Sequence, residues 1–226
     1  MATTASPTRR TQQRALETRA TLLDAATDAF SSRGFAGVSV RQLEEAAGVN
    51  RGLVAYHFDD KDGIWKAVVD RLFQGMADAF GERLLVLAEV APTESARALV
   101  RAFVRYSAEH PELNRLMMQE CMTASWRVDY IVERHVRPQL NALERAVPEA
   151  SRLIQGLHDP HRYYMFIGAS AFVFSAEHEC RGLFGVSPRT PEFIEQHVER
   201  VTALLIDNQG DRSDQMGEYD EGEQHG

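Results

Sequence analysis

Residues 38–61 of the chain read VSVRQLEEAAGVNRGLVAYHFDDK, and this stretch describes two short helices with a tight turn between them. Ser39 is placed to cap the first helix, and Leu43, Ala46 and Ala47 follow at the spacing of one apolar stripe. Gly48 ends that helix, because only glycine enters the left-handed conformation without steric cost. Val49 plugs the turn. Asn50 is placed to cap a second helix running through Arg51, Gly52, Leu53, Val54, Ala55, Tyr56 and His57. Two helices joined by a short glycine-containing turn form the helix-turn-helix pattern. In that pattern the second helix enters the major groove of DNA with its N-terminal residues at the base edges.

Outward from this motif, a first helix is expected from about Thr11 to Arg33, with Leu16, Leu22, Leu23, Ala26 and Phe30 on its apolar side and Gly34 ending it. Phe35, Val38, Val40 and Leu43 then complete a three-helix core with Val54 and Phe58. Asp60 is placed to cap a long helix reaching about Glu89, whose apolar face includes Ile64, Trp65, Val68, Phe73 and Leu84. Such a helix spans roughly 40 Å at 1.5 Å per residue, and Pro92 ends it. Further helical stretches follow over 93–108, 111–122 and 126–147, with a kink at Pro138 and breaks at Pro148 and 156–160.

No period-two pattern or internal repeat occurs, so the expected fold is all-α. Residues 11–60 are read as a three-helix DNA-binding domain. Residues 61–208 are read as a helical ligand-binding and dimerisation domain reached through the long helix. Residues 1–10 are read as a disordered basic arm suited to a minor groove or to phosphates, with a plain solvated tail as the alternative. Residues 209–226 are read as a disordered acidic tail.

Arg51 is the best candidate to read a guanine, since its planar fork matches O6 and N7, and Leu53 is suited to a thymine methyl. Arg41, Gln42 and Asn50 stand at the helix starts, in reach of bases or backbone. Ser39, Tyr56, His57 and Lys61 suit phosphate contacts, which position without reading sequence. Packing at the domain joint is the alternative for Tyr56 and His57. Gly52, in a helix interior, costs about 1 kcal/mol, and close approach of the backbone to DNA is the expected compensation.

Gly34-Phe35, Ser39-Val40, Ala47-Gly48-Val49, Gly52, His57-Phe58 and Lys61 together resemble the N-terminal signature of TetR-type transcriptional regulators, over about Thr18 to Phe73. Where that family often has a tyrosine two residues before the His-Phe pair, this chain has Ala55, with Tyr56 beside it as the alternative phosphate contact. The resemblance implies a homodimer formed by the last two long helices, a palindromic operator and a small-molecule effector. It also implies that the effector's signal travels as a tilt of the long helix. A repressor released by its effector is the leading expectation. The alternatives are an activator, or a constitutive DNA-binding protein whose C-terminal bundle only dimerises.

Composition agrees with this. The 226 residues are 44% hydrophobic and 26% charged, as in an ordinary soluble protein able to bury a core. The N-terminus MATTASPTRRTQQR has no apolar segment of the signal-peptide kind, and the apolar run 163–176 is too short to span a bilayer, so a cytoplasmic location is expected. The net charge of −8 is unevenly spread. Residues 207–226 carry −6, whereas residues 1–19 carry +3, which puts the positive potential at the motif end. No GxSxG, HExxH or phosphate-binding glycine loop occurs, so no enzyme and no cofactor are expected. Two cysteines give no disulfide framework. The pair His158 and His161 and the cluster Glu177-His178-Glu179-Cys180 lack the ligand spacing of a metal site.

In the C-terminal domain, Phe103, Tyr106, Met117, Cys121, Trp126, Tyr130, Tyr163 and Phe166 are candidates to line an apolar effector cavity. Glu120, Ser170 or His178 would orient the ligand there. Ordinary core packing is the plainer alternative for each. The run 163–176 is apolar all round and needs cover on both sides, and residues 192–207 carry a stripe. Phe172, Phe174, Ile194, His197, Val198, Val201 and Leu205 are the candidates for a two-fold interface.

Overall fold

The computed structural model of the chain describes residues 7–154 and 159–206. All regular structure among them is helical, as expected. The helices are α1 (Pro7–Arg33), α2 (Val40–Ala46), α3 (Leu53–Phe58), α4 (Lys61–Leu87), α5 (Pro92–Glu109), α6 (Pro111–Cys121) and α7 (Trp126–Ile131). They continue with α8 (Arg137–Ala146), α9 (Pro148–Ile154), α10 (Pro160–Ser175), α11 (Glu177–Phe184) and α12 (Pro191–Leu205). Pro92 and Pro148 do more than end the preceding helices. Like Pro7, Pro111, Pro160 and Pro191, each opens a helix, where its missing N–H would have had no partner and its fixed φ is already helical.

One expectation changes here. Helix α1 begins at Pro7, so residues 7–10 of the expected disordered arm are helical; residues 1–6, His158 and the acidic tail lie outside the described residues. The kink expected at Pro138 takes the form of a widened turn just before it. A π-helical turn, Val132–Val136, joins α7 to α8, and Pro138 follows within the first turn of α8. A proline cannot donate to the carbonyl four residues back and its ring crowds that carbonyl, so the turn before it widens.

The chain forms two compact units. The first comprises the chain to Gly75 together with Arg115–Val132; the second comprises Met76–Asn114 together with the chain from Glu133 onward. The first unit therefore runs past the residue-60 boundary read from sequence, through half of α4, and takes in the end of α6 and all of α7. Its core holds Leu22, Ala26, Phe30, Leu43, Val54, Ile64, Trp65 and Val68, all fully buried. Leu16, assigned to this core, is 63% exposed.

The first unit is closed by an aromatic and ionic hub. The Trp65 indole N–H donates to Glu120 Oε1 at 3.2 Å, and Arg127 Nε donates to Glu120 Oε2 at 2.6 Å, with Glu120 only 2% exposed. Trp126 and Tyr130 meet the Trp65 ring edge-on at 5.3 and 6.0 Å, and Arg127 lies over Phe35 at 4.4 Å. Tyr130 also donates to Asp70, and Arg71 bridges from α4 to Asp24, Thr27 and the Leu23 carbonyl of α1.

In the second unit, α5 packs against α9, α10 and α12. Their shared core includes Val100, Val104, Ile154, Phe166, Phe174, Val198, Val201 and Leu205. Arg105 on α5 grips Glu195 on α12 with two hydrogen bonds, of 2.9 and 2.6 Å.

Candidate nucleic-acid interface

Helix α2 starts with a capping box. The Gln42 N–H donates to Ser39 Oγ at 3.3 Å, and the Ser39 N–H donates to Gln42 Oε1 at 2.9 Å. Ser39 and Gln42 thus hold each other, and both remain exposed at the helix start. The helix presents Leu43 and Glu44 inward; Ala46, assigned to the apolar stripe, is exposed. Gly48, at φ +63°, makes the turn as expected.

The start of α3 differs from the sequence reading. Asn50 does not cap it. The N-cap is Gly52, at φ +89° and ψ −4°, and the helix begins at Leu53. Gly52 is therefore no interior residue, and its glycine character answers a left-handed backbone that side chains rarely adopt. A Cβ at Gly52 would meet no protein atom within 4 Å, so the position is open on its outer side. The cap comes from a residue the sequence reading passed over. Glu44 Oε1 accepts from the Gly52 N–H at 2.8 Å and the Val54 N–H at 3.0 Å, and Glu44 is 4% exposed. An acid next to Leu43 reads as a solvated position by periodicity; its only sequence signal is its place one turn before the glycine turn.

Beyond Val54 and Phe58, which are buried, α3 turns Ala55 and Tyr56 outward, with Leu53 and His57 half-buried, and Arg51 and Gly52 are exposed in the turn before it. Tyr56 is 76% exposed and meets His57 edge-on at 4.8 Å. Arg41 pairs with Glu45 at 2.7 Å on the exposed side of α2, and that contact pulls the Glu45 carboxyl below its usual range, with Arg51 adding to it. The Lys61 ammonium lies 4.0 Å over the Phe35 ring, and burial lowers its pKa, with Arg127 nearby acting in the same direction. Leu53, Tyr56 and His57 on α3 are thus joined by Arg51 and Gly52 in the turn that enters it, with Ser39, Arg41 and Gln42 at the exposed start of α2.

The exit from α3 is tight. Asp59, at φ +68° and ψ −56°, centres a γ-turn in which the Asp60 N–H donates to the Phe58 carbonyl at 2.8 Å. Asp60 caps α4 as expected, accepting from the Gly63 N–H at 2.8 Å. Gly63 is required, because a Cβ there would drive into the Phe58 carbonyl oxygen.

The effector candidates separate between the two units. Met117, Glu120, Cys121, Trp126 and Tyr130 belong to the first, and Phe103, Tyr163, Phe166 and Ser170 to the second. Glu120, assigned to orient a ligand, is instead held by Trp65 and Arg127, and Trp126 and Tyr130 pack on Trp65. Phe103 and Phe166 pack at 4.8 Å, and the Ser170 hydroxyl is fully buried without a hydrogen-bond partner. The dimer candidates also divide. Phe174, Val198, Val201 and Leu205 are enclosed in the protomer's own core, and Ile194 packs against it. The His197 ring is 2.8 Å from the Ala169 carbonyl, and Phe172 is exposed. Among the described residues no His, Cys, Asp or Glu cluster could hold a metal ion, and no helix is long and apolar enough to cross a membrane.

Residues 22–68 match the bacterial regulatory proteins of the tetR family, and residues 92–205 match the tetracyclin repressor-like C-terminal domain. The HTH-type transcriptional regulator RutR of Escherichia coli is 24% identical over 198 residues, 82% of this chain and 87% of RutR. TtgR of Pseudomonas putida is 41% identical over 66 residues, 29% of this chain and 31% of TtgR. Among solved structures, AibR in complex with isovaleryl coenzyme A and operator DNA superimposes with a TM-score of 0.61 at 17% identity, covering 84% of this chain and 98% of AibR. The fatty acid degradation regulator FadR from Bacillus halodurans gives 0.58 at 17%, covering 84% and 94%. With both of the family's domains matched in order around this helix-turn-helix, the chain belongs to the TetR family of bacterial regulatory proteins and is a DNA-binding transcriptional regulator, not an enzyme.

Proposed function

We propose that the chain is a cytoplasmic homodimeric repressor, released from a palindromic operator by a largely apolar small molecule. The observation that carries the DNA reading is the exposed face of α3. Tyr56 on the helix and Arg51 and Gly52 at its entry are exposed, while Val54 and Phe58 root the helix in the core. Arg51 and Leu53 are assigned to bases. Ser39, Arg41, Gln42, Asn50, Tyr56, His57 and Lys61 are assigned to positioning on the backbone.

The effector is assigned to the second unit, near Ser170. A fully buried hydroxyl without a partner costs about 1–3 kcal/mol, and a ligand acceptor or donor would recover it. Phe103 and Phe166 supply apolar walls on the same side, since Phe166 stands one turn before Ser170. The binding of isovaleryl coenzyme A and operator DNA by AibR supports a small-molecule effector here. For the dimer, the outward stripe Tyr164, Met165, Gly168 and Phe172 of α10, with Leu204 of α12, is the surface left for a partner.

The test is fluorescence anisotropy of the purified protein on DNA from upstream of its own gene, beside a shuffled duplex and across a salt series. Tight binding to a palindrome, well above the shuffled control, and its loss on adding one compound from an apolar library are expected. Equal, salt-sensitive binding to every duplex at all effector concentrations would refute the reading.

A further inference from the structure

We propose that Glu44 is the positioning residue of DNA recognition: its carboxylate sets the angle at which α3 meets the major groove, so base discrimination depends on it more than DNA affinity does. The inference rests on α3 being the recognition helix and goes beyond it by naming what aims that helix.

Glu44 acts at both ends of the turn. Its backbone carbonyl accepts from the Val49 N–H at 3.0 Å, closing α2, and its Oε1 accepts from the Gly52 and Val54 N–H groups, opening α3. No side chain of α3's own entry caps that helix, since the N-cap is a glycine. A six-residue helix has little cohesion of its own, so its direction is set by what holds its ends. Its C-terminal end runs into the γ-turn at Asp59, and its N-terminal end is held by this one carboxylate.

The charge is buried without an ion-pair partner among the described residues; the positive end of the α3 dipole and two amide donors face it instead. Two consequences follow for DNA. The Gly52 and Val54 amides are occupied by the protein and do not hold a phosphate, so positioning on the backbone falls to side chains. Arg51 leaves the chain one residue before Gly52, so a tilt of that end beyond about 10–20° spoils a bidentate guanine contact.

The test compares the wild-type protein with Glu44→Ala and Glu44→Gln. The probes are the duplex that wild type selects from a random library and a shuffled duplex of equal composition. Gln keeps an oxygen acceptor without the charge; Ala keeps neither. For Glu44→Ala the ratio of selected to shuffled affinity is expected to fall by about tenfold or more, the scale of one misaimed base contact, with shuffled affinity undiminished. Glu44→Gln is expected to keep most of the ratio. Amide exchange of Gly52 and Val54, slow in wild type and in Glu44→Gln, is expected to become fast in Glu44→Ala while that of Ala47, bonded to the Leu43 carbonyl, stays slow. A ratio unchanged in Glu44→Ala would overturn the proposal, as would an equal loss on both duplexes or a Glu44→Gln variant as poor as Ala. A wild-type protein that selects no duplex would instead overturn the reading of α3 itself.

Discussion

Replacing Arg127 by methionine removes the guanidinium that faces Glu120 at 2.6 Å while keeping most of the apolar length of the side chain. The Glu120 carboxylate is 2% exposed, so water cannot replace the lost cation. Its remaining partner is the Trp65 indole N–H at 3.2 Å. Breaking a buried pair from one side costs about 3–5 kcal/mol, because the uncompensated charge stays behind. That is from about a fifth to the whole of the stability of a typical domain, about 5–15 kcal/mol. Adding Glu120→Gln removes the stranded charge and keeps an acceptor for Trp65, so the double variant should recover to within about 1.5 kcal/mol of wild type. The assay is urea unfolding followed by tryptophan fluorescence, since the chain's two tryptophans, Trp65 and Trp126, both sit in the hub. A loss below about 1 kcal/mol for Arg127→Met, or a double variant no better than the single one, would refute the argument that this hub is held by a buried charge pair.

Asp59→Gly should raise stability by about 1 kcal/mol, because the γ-turn holds a non-glycine residue at φ +68°; a lower melting temperature would refute this. Gly63→Ala should cost about 3 kcal/mol through its clash with the Phe58 carbonyl, measured by the same urea titration, and near-neutral behaviour would contradict the packing. Arg51→Ala should relax selectivity at one base pair by about 1–3 kcal/mol, whereas Lys61→Ala should weaken all duplexes alike and lower the salt slope by about 1; competition binding separates the two, and a uniform loss from Arg51→Ala would remove its base-reading role. Burial lowers the pKa of His197 below its ordinary 6.5, with Arg200 adding to it and the Ala169 carbonyl opposing. The unfolded chain then binds the proton more readily, so His197 contributes stability above pH 6.5 that is lost as pH falls through that value toward the folded one. Unfolding free energies at stepwise pH should therefore decline less on acidification for His197→Gln than for wild type.

The helix-turn-helix was legible because each of its signals is local. A capping serine, a glycine at the turn and apolar residues at helical spacing act within a few residues of themselves, and Ser39, Gly48 and Asp60 do what the sequence predicts of them. Even so, the start of α3 was misplaced, because Asn50 has the right chemistry for a cap and Glu44 lies outside the window in which caps are sought. The dimer candidates divide between core and surface for a related reason. Period-3.6 patterning places Val198, Val201 and Leu205 on one face of α12 but does not name what covers that face, and α5 of the same protomer does.

By itself, then, the sequence determined what short-range sterics and hydrogen bonding control: an all-helical chain, the turn between α2 and α3, and the exposed side of α3. Only the tertiary structure decided which polar groups meet across long separations. Glu44 reaches eight and ten residues ahead to the amides that start α3, and Glu120 reaches back fifty-five to Trp65. A buried carboxylate must find donors or a cation wherever the fold brings them, and no periodicity in the chain records where that will be.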